Sequence, residues 1–407
     1  MTLLLWACTA PEPEDTAVPS PDDTAVVDTA PPEDTAPPDP CAAGDAAWHT
    51  ATDGTVTSLD EAFRAGAEGA AVQLTLAEPG ALSICPGTWH VYLKAQAELV
   101  VEGLEGAERT VLDAHRAGPV VEVEGELALT VRGLTVQGGR SMHGGGVWAR
   151  LGAQVTVQDA VLRDNETETD GHGGGLCASD GSAVWLERVQ LEGNRAAEGG
   201  GVAVMDSTAE LVDIAFEANE VSGKTLPGYG GGLFVEGGTA KLSRATFTDN
   251  VAGSAGGAIA GWSGAELSLE DVHGSGDTAV DRGGGLYLSF SDASLARSSF
   301  TGSSAEAGGG IAAKYGTVVL DEGGVYDATA VRGAGIDLYA SSLVLTGSAV
   351  TGNVADEAGG GVYLDPASTL TAEEVSIDGN APEDVYVEDV GGFQCGKQFS
   401  CDGTGCG

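Results

Sequence analysis

A phrase of two or three glycines followed by alternating apolar residues recurs nine times between residues 144 and 380. The first copy spans residues 144–149. In the other copies the last glycine is Gly175, Gly201, Gly232, Gly257, Gly285, Gly310, Gly335 or Gly361. A second mark follows after 18 or 19 residues, so the length variation lies between this mark and the next glycine. A repeat with fixed strand-rich arms and one variable segment predicts a solenoid whose insertions fall on one edge.

The second mark is usually an asparagine. It reads Asn165, Asn194, Asn219, Asn250, Gly276, Ser303, Ala328, Asn353 and Asn380, with three departures in the middle. The first and third residues after each final glycine are apolar, which predicts a strand with one face inward. A column three residues before the second mark is apolar except at His273: Leu162, Leu191, Phe216, Phe247, His273, Phe300, Val325, Val350 and Ile377.

The repeat length selects the fold. A coil of about 27 residues is too short for a strand–helix unit and fits a three-strand turn of a parallel β-helix, with glycines at tight corners. Residues 41–80 are predicted to cap the first coil, through a short helix over residues 57–65 with Ser or Thr at its N-cap. The prediction is an all-β, single-stranded, right-handed parallel β-helix of about 11–12 coils over residues 81–390.

Phe-x-x-Asn occurs outright at residues 216–219 and 247–250, and with an aliphatic residue replacing Phe at 162–165, 191–194, 350–353 and 377–380. Paired with the double glycine, this phrase resembles the repeat of chlamydial polymorphic outer membrane proteins, within the pectate-lyase-like class of right-handed β-helices. The resemblance covers about residues 80–390 and implies display at a cell surface. The membrane β-barrel with which those proteins end has no counterpart in this sequence.

The N-terminal residues indicate export. Leu5, Ala7 and Cys8 resemble the end of a bacterial lipoprotein signal peptide, in which the Cys is the lipid attachment site. Residues 1–8 are interpreted as a remnant of such a signal, because the basic and most of the apolar regions are missing; the alternative is a leader with a stray cysteine. Residues 9–40 repeat Asp-Thr-Ala among prolines and predict a disordered spacer. No apolar stretch is long enough for a membrane span, so we expect contact with the outer membrane or cell surface only through the lipid.

Charge restricts the function classes. The formal net charge is −43, which argues against nucleic-acid binding. An anionic polysaccharide would be repelled unless a cation bridged it. The preferred prediction is a monomeric, non-enzymatic surface lipoprotein for adhesion, recognition or envelope structure, with a surface glycan or protein as partner. The alternative is a polysaccharide lyase or glycoside hydrolase, which stays open because β-helix enzymes assemble sites across coils. No catalytic residue is assigned.

Three residues form the candidate metal site. His143, His172 and Glu198 each lie three residues before a final glycine, so they stack in one column and predict a site for Ca²⁺ or another divalent cation. The alternative is three solvated turn residues. The two longest variable segments, residues 166–172 and 220–229, emerge at the same edge and predict a partner-contacting rim. The outward face of the glycine strands is predicted to carry Trp148, Phe234, Ile259, Tyr287 and Tyr363. The preferred interpretation is that they are strand formers, and the alternative is that the aromatic rings stack on sugars.

A charged column lies six residues before the second mark. It reads Asp159, Arg188, Asp213, Arg244, Glu270, Arg297 and Glu322, so the sign alternates from coil to coil. Opposite charges on adjacent strands attract, and a slip by one coil would place like charges together. The column predicts a ladder in which each arginine lies between two acids. Three arginines are then committed to structure rather than catalysis.

Cysteines lie near both ends of the chain, with the tail at residues 391–407 rich in them. Disulfides are plausible in an exported protein, but the sequence leaves their connectivity open. The cysteines other than Cys8 are Cys41, Cys85, Cys177, Cys395, Cys401 and Cys406. Cys177 is predicted to point outward from its strand.

Overall fold

The computed structural model describes residue 41, residues 44–66, 69–222 and 227–388, and the backbone of Phe399–Ser400. The interpretations of residues 1–40, including Cys8, and of Cys395, Cys401 and Cys406 lie outside these residues. The described chain is nearly all β and forms a parallel β-solenoid of about 11 turns, which confirms the predicted fold class. Its one helix spans six residues, so no described helix has the length of a membrane span.

Three sheets run along the solenoid, and all their pairings are parallel except those of the N-terminal strand Ala47–Ala51. The glycine sheet has 13 strands: Val72–Leu76, Val91–Ala95, Val121–Glu124, Val147–Arg150, Leu176–Ser179, Val202–Met205, Leu233–Glu236, Ile259–Trp262, Leu286–Ser289, Ile311–Lys314, Ile336–Tyr339, Val362–Leu364 and Val385–Val387. The short sheet comprises a six-stranded and a two-stranded part: Arg140–Ser141, Glu166–Thr167, Arg195–Ala196, Glu220–Val221, Val251–Ala252, Thr278–Ala279, and then Thr329–Arg332 and Val354–Ala358.

The long sheet has 22 strands. They are Ala47–Ala51, Val56–Ser58, Gly80–Ile84, Gly87–Trp89, Leu99–Gly103, Thr110–Asp113, Ala128–Arg132, Thr135–Gln137, Gln154–Arg163, Ala183–Glu192, Thr208–Glu217, Thr239–Thr248, Glu266–Ser275, Asp292–Ala296, Ser299–Thr301, Thr317–Asp321, Gly324–Tyr326, Ser342–Thr346, Ala349–Thr351, Thr369–Glu373, Val375–Asp378 and Phe399–Ser400. Each of the ten-residue strands bends at one residue in the left-handed region, such as Asp159 at φ 50°. The bend turns the two halves of one strand toward different sides of the core.

One apolar core runs the length of the solenoid, because like residues stack in register. Leu176 pairs with Val202, and Val202 with Leu233, all three fully buried. In the long sheet Phe216 and Phe247 stack with ring centroids 4.4 Å apart. The glycines permit this close stacking: a Cβ on Gly146 would lie 2.4 Å from the carbonyl oxygen of Gly175 in the next coil.

The predicted repeat alignment is wrong by one residue in the fifth copy. The strand register pairs Leu233 with Ile259, so Ala258, not Gly257, takes the place of the third glycine. The same shift moves Gly274, not His273, into the core column, where Phe300 fills the space beside it. His273 is exposed, and its Nδ1 lies 2.9 Å from Ser299 Oγ. The shift could not be seen from sequence spacing alone, because this copy has Ala258 in place of the third glycine.

The asparagines form a buried ladder. Asn165 Nδ2 donates to Asn194 Oδ1 at 3.0 Å and to Val136 O at 3.0 Å, and the pattern repeats through Asn219 and Asn250. Asp277, not Gly276, occupies the next place, because its Oδ1 accepts from Asn250 Nδ2 at 2.9 Å. Ser303 and Ala328 interrupt the ladder as predicted, and it resumes at Asn353 and Asn380. The ladder satisfies backbone groups at the corner, so its role is structural.

The N-terminal cap combines a helix with an antiparallel strand. Ala47–Ala51 pairs antiparallel with Gly80–Ile84 and so covers the first edge of the long sheet. The helix spans Asp60–Ala65 rather than residues 57–65, and its N-cap is Leu59 rather than Ser or Thr. The disulfide Cys41–Cys85 joins the cap to the first coil, which settles one pairing that the sequence left open.

The charged column forms pairs rather than a continuous ladder. Arg188 Nε lies 2.6 Å from Asp159 Oδ1, and Arg244 Nη2 lies 3.0 Å from Asp213 Oδ2. In the fifth coil the one-residue shift puts Asp271 at the bend, where it pairs with Arg297 at 2.8 Å; Glu270 beside it also contacts that arginine. Each arginine therefore bonds toward the preceding coil. The three arginines are engaged, as predicted.

Candidate functional site

The predicted column of His143, His172 and Glu198 exists and continues into Tyr229. These four residues occupy the turn that precedes the glycine phrase in four consecutive coils. The imidazole rings of His143 and His172 stack with centroids 5.0 Å apart and planes 9° apart. His172 Nδ1 lies 3.0 Å from Glu198 Oε2, and both side chains are largely buried. The solenoid thus assembles a line of titratable groups from residues far apart in sequence.

The ring nitrogens of this column do not converge on one point, as the ligands of a metal ion would. The backbone N–H of His172 donates to His143 Nδ1 at 3.3 Å, so that nitrogen already has a partner. His172 Nδ1 faces Glu198, and the stacked rings lie along the solenoid axis rather than around one point. Binding of a divalent cation by these three residues stays a prediction. The contacts themselves form a histidine–carboxylate pair.

Two further titratable groups interact electrostatically with this pair. Burial, and then the charge of Glu198, raise the pKa of Glu236 above its ordinary value. Burial raises the pKa of Tyr229 to about 12. Burial, and then His172, lower the pKa of His143. Perturbed groups concentrated on one surface are characteristic of sites that transfer protons. We call Glu198, His172, Glu236 and Tyr229 the acid–base cluster.

The outward face of the glycine sheet is largely apolar, and its larger side chains bury the smaller ones beside them. Its stacked positions are Trp148, Cys177, Ala203, Phe234, Ala260, Tyr287, Ala312, Asp337, Tyr363 and Tyr386. Ile259, predicted outward, points into the main core, and Ala260 takes the outward place because of the one-residue shift. Cys177 lies on this face as predicted and is fully buried there with a free thiol. From Phe234 to Ala312 large and small side chains alternate, so the large ones cover their small neighbours.

A buried carboxylate interrupts this apolar face. Asp337 is 1% exposed, with Oδ2 3.0 Å from Arg282 Nη1 and Oδ1 3.3 Å from Arg332 Nε. Burial raises the pKa of Asp337, and the two arginines act in the opposite direction. Arg332 also lies over the ring of Tyr363, 5.0 Å from its centroid. Both arginines therefore have a carboxylate partner.

Exposed aromatic rings border the same sheet at its other edge. Phe290, Tyr315 and Tyr339 are 58%, 41% and 40% exposed. Phe290 and Tyr315 stack at 4.6 Å, and Tyr339 lies edge-on to Tyr315 at 5.4 Å. Lys314 Nζ is 5.5 Å from the centroids of both tyrosines. We call these three rings the aromatic row. Sequence reasoning missed it, because the turn after each glycine strand varies in residue type.

A second histidine cluster also escaped sequence reasoning. His90, Asp113 and His115 each offer a ligand atom, and these atoms lie within 4.8 Å of one another. The three residues precede the glycine phrase, so no repeated position drew attention to them. The only sequence signal was Asp113 and His115 two residues apart at a strand end, with His90 about one coil earlier.

The two variable segments that were predicted to form a partner-contacting rim each end at a residue of the acid–base cluster. The segment at residues 166–172 ends in His172, and the segment at 220–229 ends in Tyr229. Residues 223–226 lie outside the described chain. Both segments therefore border the cluster at the edge that the repeat lengths predicted.

The chain is similar to a solved structure, but its sequence matches no known family. No protein-family profile and no curated protein matches the chain. Among solved structures, the A-module of the Azotobacter vinelandii mannuronan C-5 epimerase AlgE4 is similar over 82% of this chain and 92% of its own. The sequences are 15% identical, and the TM-score is 0.37.

Proposed function

We propose that this protein is a carbohydrate-active enzyme that uses the acid–base cluster on an extended saccharide. This reverses the preference for a non-enzymatic role that the sequence alone suggested. The observation that carries the proposal is the buried contact of His172 with Glu198, beside Glu236 and Tyr229. Proton transfer needs groups held in different protonation states, and the two carboxylates have different surroundings.

The roles follow from those surroundings. Glu236 has a raised pKa, so it retains a proton more readily than an ordinary glutamate and suits the general acid. Glu198 faces an imidazole and suits the base that activates water or accepts a proton. The net charge of −43 disfavours an anionic polymer without bridging cations, so the substrate class is a neutral or cationic glycan. Hydrolysis of a glycosidic bond is the corresponding reaction.

The test is product release from a panel of polysaccharides. The purified full chain is incubated with neutral, cationic and anionic glycans, with and without Ca²⁺, and reducing ends are counted. Absorbance of unsaturated sugars separates elimination from hydrolysis. We expect release from a neutral or cationic glycan and a loss of about 10²–10⁴-fold in Glu236→Gln and in Glu198→Gln.

The matched control is Glu210→Gln, which removes an exposed carboxylate from the outward face of the long sheet. It should keep full activity. The proposal is wrong if no glycan in the panel is cleaved, or if the Glu236 and Glu198 variants cleave as fast as Glu210→Gln.

The aromatic row favours a second candidate function, saccharide recognition without chemistry. Exposed apolar patches mark interaction sites, and rings spaced by one coil suit an extended chain of sugar units. We expect glycan retention in affinity electrophoresis by the wild type and its loss when Phe290, Tyr315 and Tyr339 are all changed to Ala. Trp185→Ala removes a ring of similar exposure, 46%, from the long sheet and should leave retention unchanged. Equal loss in this control would exclude the row.

Export and lipid attachment at Cys8 complete the proposal. The supporting observations are Leu5, Ala7 and Cys8 and the acidic, proline-rich residues 9–40, a composition suited to a spacer. Expressed from its own gene in its native host, with any segment that precedes residue 1, the protein should incorporate labelled palmitate and fractionate with membranes, and Cys8→Ser should do neither. Unlabelled wild-type protein would contradict the anchor while leaving the enzymatic proposal untouched.

A further inference from the structure

The cluster of His90, Asp113 and His115 lies in the first two coils, away from the glycine phrase. His90 occupies the turn between Gly87–Trp89 and Val91–Ala95. Asp113 ends the strand Thr110–Asp113 of the next coil, and His115 follows in a left-handed conformation at φ 46°. The two imidazole rings have centroids 4.4 Å apart. Two histidines and a carboxylate from adjacent coils therefore converge on one point.

The buried ring nitrogens supply an independent observation. His90 Nδ1 and His115 Nε2 are buried atoms without a hydrogen-bond partner in the described chain. An unpaired buried polar atom costs about 1–3 kcal/mol, so natural structures rarely retain two in contact unless a ligand satisfies them. A metal cation would accept a lone pair from each of these two nitrogens at once.

The carboxylate is held in place by its neighbours. Asp113 Oδ1 accepts the backbone N–H of His115 at 2.9 Å, and Oδ2 accepts Gln137 Nε2 at 2.9 Å. Arg163 Nε in turn donates to Gln137 Oε1 at 3.0 Å. Each carboxylate oxygen keeps a lone pair for a metal. Such hydrogen-bonded support behind a ligand is the usual arrangement at metal sites and fixes the ligand's orientation.

We propose that His90, Asp113 and His115 bind a divalent transition-metal ion of the zinc class, independently of the enzymatic proposal. Imidazole nitrogen with one carboxylate is a donor set that Zn²⁺ accepts, and three protein ligands leave a fourth position for water. Tetrahedral bonds of about 2.0–2.2 Å place ligand atoms about 3.3–3.6 Å apart, so closing from 4.8 Å takes about 1.2–1.5 Å, shared between the side chains. The ion would tie the first coil to the second, and Cys85 of the Cys41–Cys85 disulfide lies five residues before His90 in the chain.

The experiment uses the full chain, stripped with a chelator, and Zn²⁺ in competition with a fluorescent chelator. Co²⁺ in place of Zn²⁺ reports nitrogen and oxygen coordination through its visible absorption. The variants His90→Ala, His115→Ala and Asp113→Asn should each bind one equivalent of Zn²⁺ fewer than the wild type. If some binding remains, its affinity should be more than about 100-fold weaker. Gln137→Ala should lose about 10-fold, because it only orients Asp113.

The controls are His143→Ala and His172→Ala, which alter the other stacked histidine pair. They should retain the equivalent of Zn²⁺ that the three ligand variants lose. Folding is checked by Tm without metal, which should stay close to the wild-type value, while Zn²⁺ raises Tm only when the ligands are intact. The proposal is overturned if His115→Ala binds Zn²⁺ like the wild type, or if the equivalent is lost only from the His143 and His172 variants.

Discussion

Asp277 occupies the fifth place of the asparagine ladder, and Asp277→Asn should stabilise the protein in a pH-dependent way. Asp277 Oδ1 accepts the N–H and the Nδ2–H of Asn250, both at 2.9 Å. Its Oδ2 is buried without a hydrogen-bond partner in the described chain. Burial raises the pKa of Asp277 from 3.8 to about 7. The folded protein thus keeps a proton that the unfolded chain releases.

The sign and size follow from proton linkage. Between about pH 4 and 7 the folded state binds more protons than the unfolded state, so the free energy of unfolding falls as the pH rises. Above about pH 7 Asp277 is ionised in the folded state as well, and the free energy of unfolding falls no further on its account. A difference of about 3 pKa units corresponds to roughly 4 kcal/mol. Asparagine carries no charge, so Asp277→Asn should remove this pH dependence and add up to about 4 kcal/mol at pH 8, with little change at pH 4.

Asparagine should also complete the ladder geometry. Asn250 Nδ2 donates to Phe216 O at 3.2 Å, and an amide at position 277 would face Phe247 O in the same manner. That hydrogen bond adds about 1 kcal/mol at pH values where Asp277 is ionised, because a protonated Asp277 can donate to the same carbonyl. An ionised Asp277 has no proton to offer there. The ladder therefore favours asparagine at position 277, and aspartate there lowers the free energy of unfolding at neutral pH.

The assay is urea unfolding of both proteins at five values from pH 4 to pH 8. Solenoids can unfold in parts, so hydrogen exchange at the amides of Asn250 and Thr278 should accompany it. Asp249→Asn is the matched control, because it removes one negative charge from the same corner at an exposed position. Parallel stability–pH curves for the wild type and Asp277→Asn, or a less stable Asp277→Asn at pH 8, would refute the reasoning.

Three further predictions concern other parts of the solenoid. Arg244→Glu places like charges beside Asp213, so Tm should fall in calorimetry, and an unchanged Tm would count against a structural role for the pair. Asp337→Ala leaves Arg282 and Arg332 without their carboxylate and should cost about 1–3 kcal/mol in urea unfolding; a neutral result would contradict the inferred pairing. Burial raises the pKa of the Cys177 thiol to about 12, so it should resist alkylation at pH 8 until urea is added, as peptide mass mapping would show.

The periodic parts of this structure could be predicted from the sequence. A stacked position needs the same kind of side chain in every coil, so the pattern itself reports the contact, as at Leu191, Phe216 and Phe247. The column of His143, His172 and Glu198 came from the same reasoning. The sequence predicts a start too early for the short helix because Ser58 is a typical N-cap residue, whereas in the structure its Oγ accepts the N–H of Asp60 from outside the helix.

The rest depends on positions that do not repeat. The fifth copy carries Ala258 where the others carry a glycine, and spacing alone could not show which residue the next strand would pair with. Hydrogen bonding to Asn250 identifies Asp277, and that contact exists only in three dimensions. The same holds for His90 and His115, which meet because two coils stack, not because of any motif.

The asparagine ladder has a direction, and this affects how such a chain can change in length. Each amide donates toward the following coil's oxygen, so an internal coil presents matching groups on both sides and could be copied or removed whole. The last member is different, because Asn380 donates to Asp384, four residues ahead in its own turn. Duplication of an internal coil would therefore preserve the hydrogen bonds of the ladder. The last coil, in contrast, bonds to its own turn and has to remain at the end of the ladder.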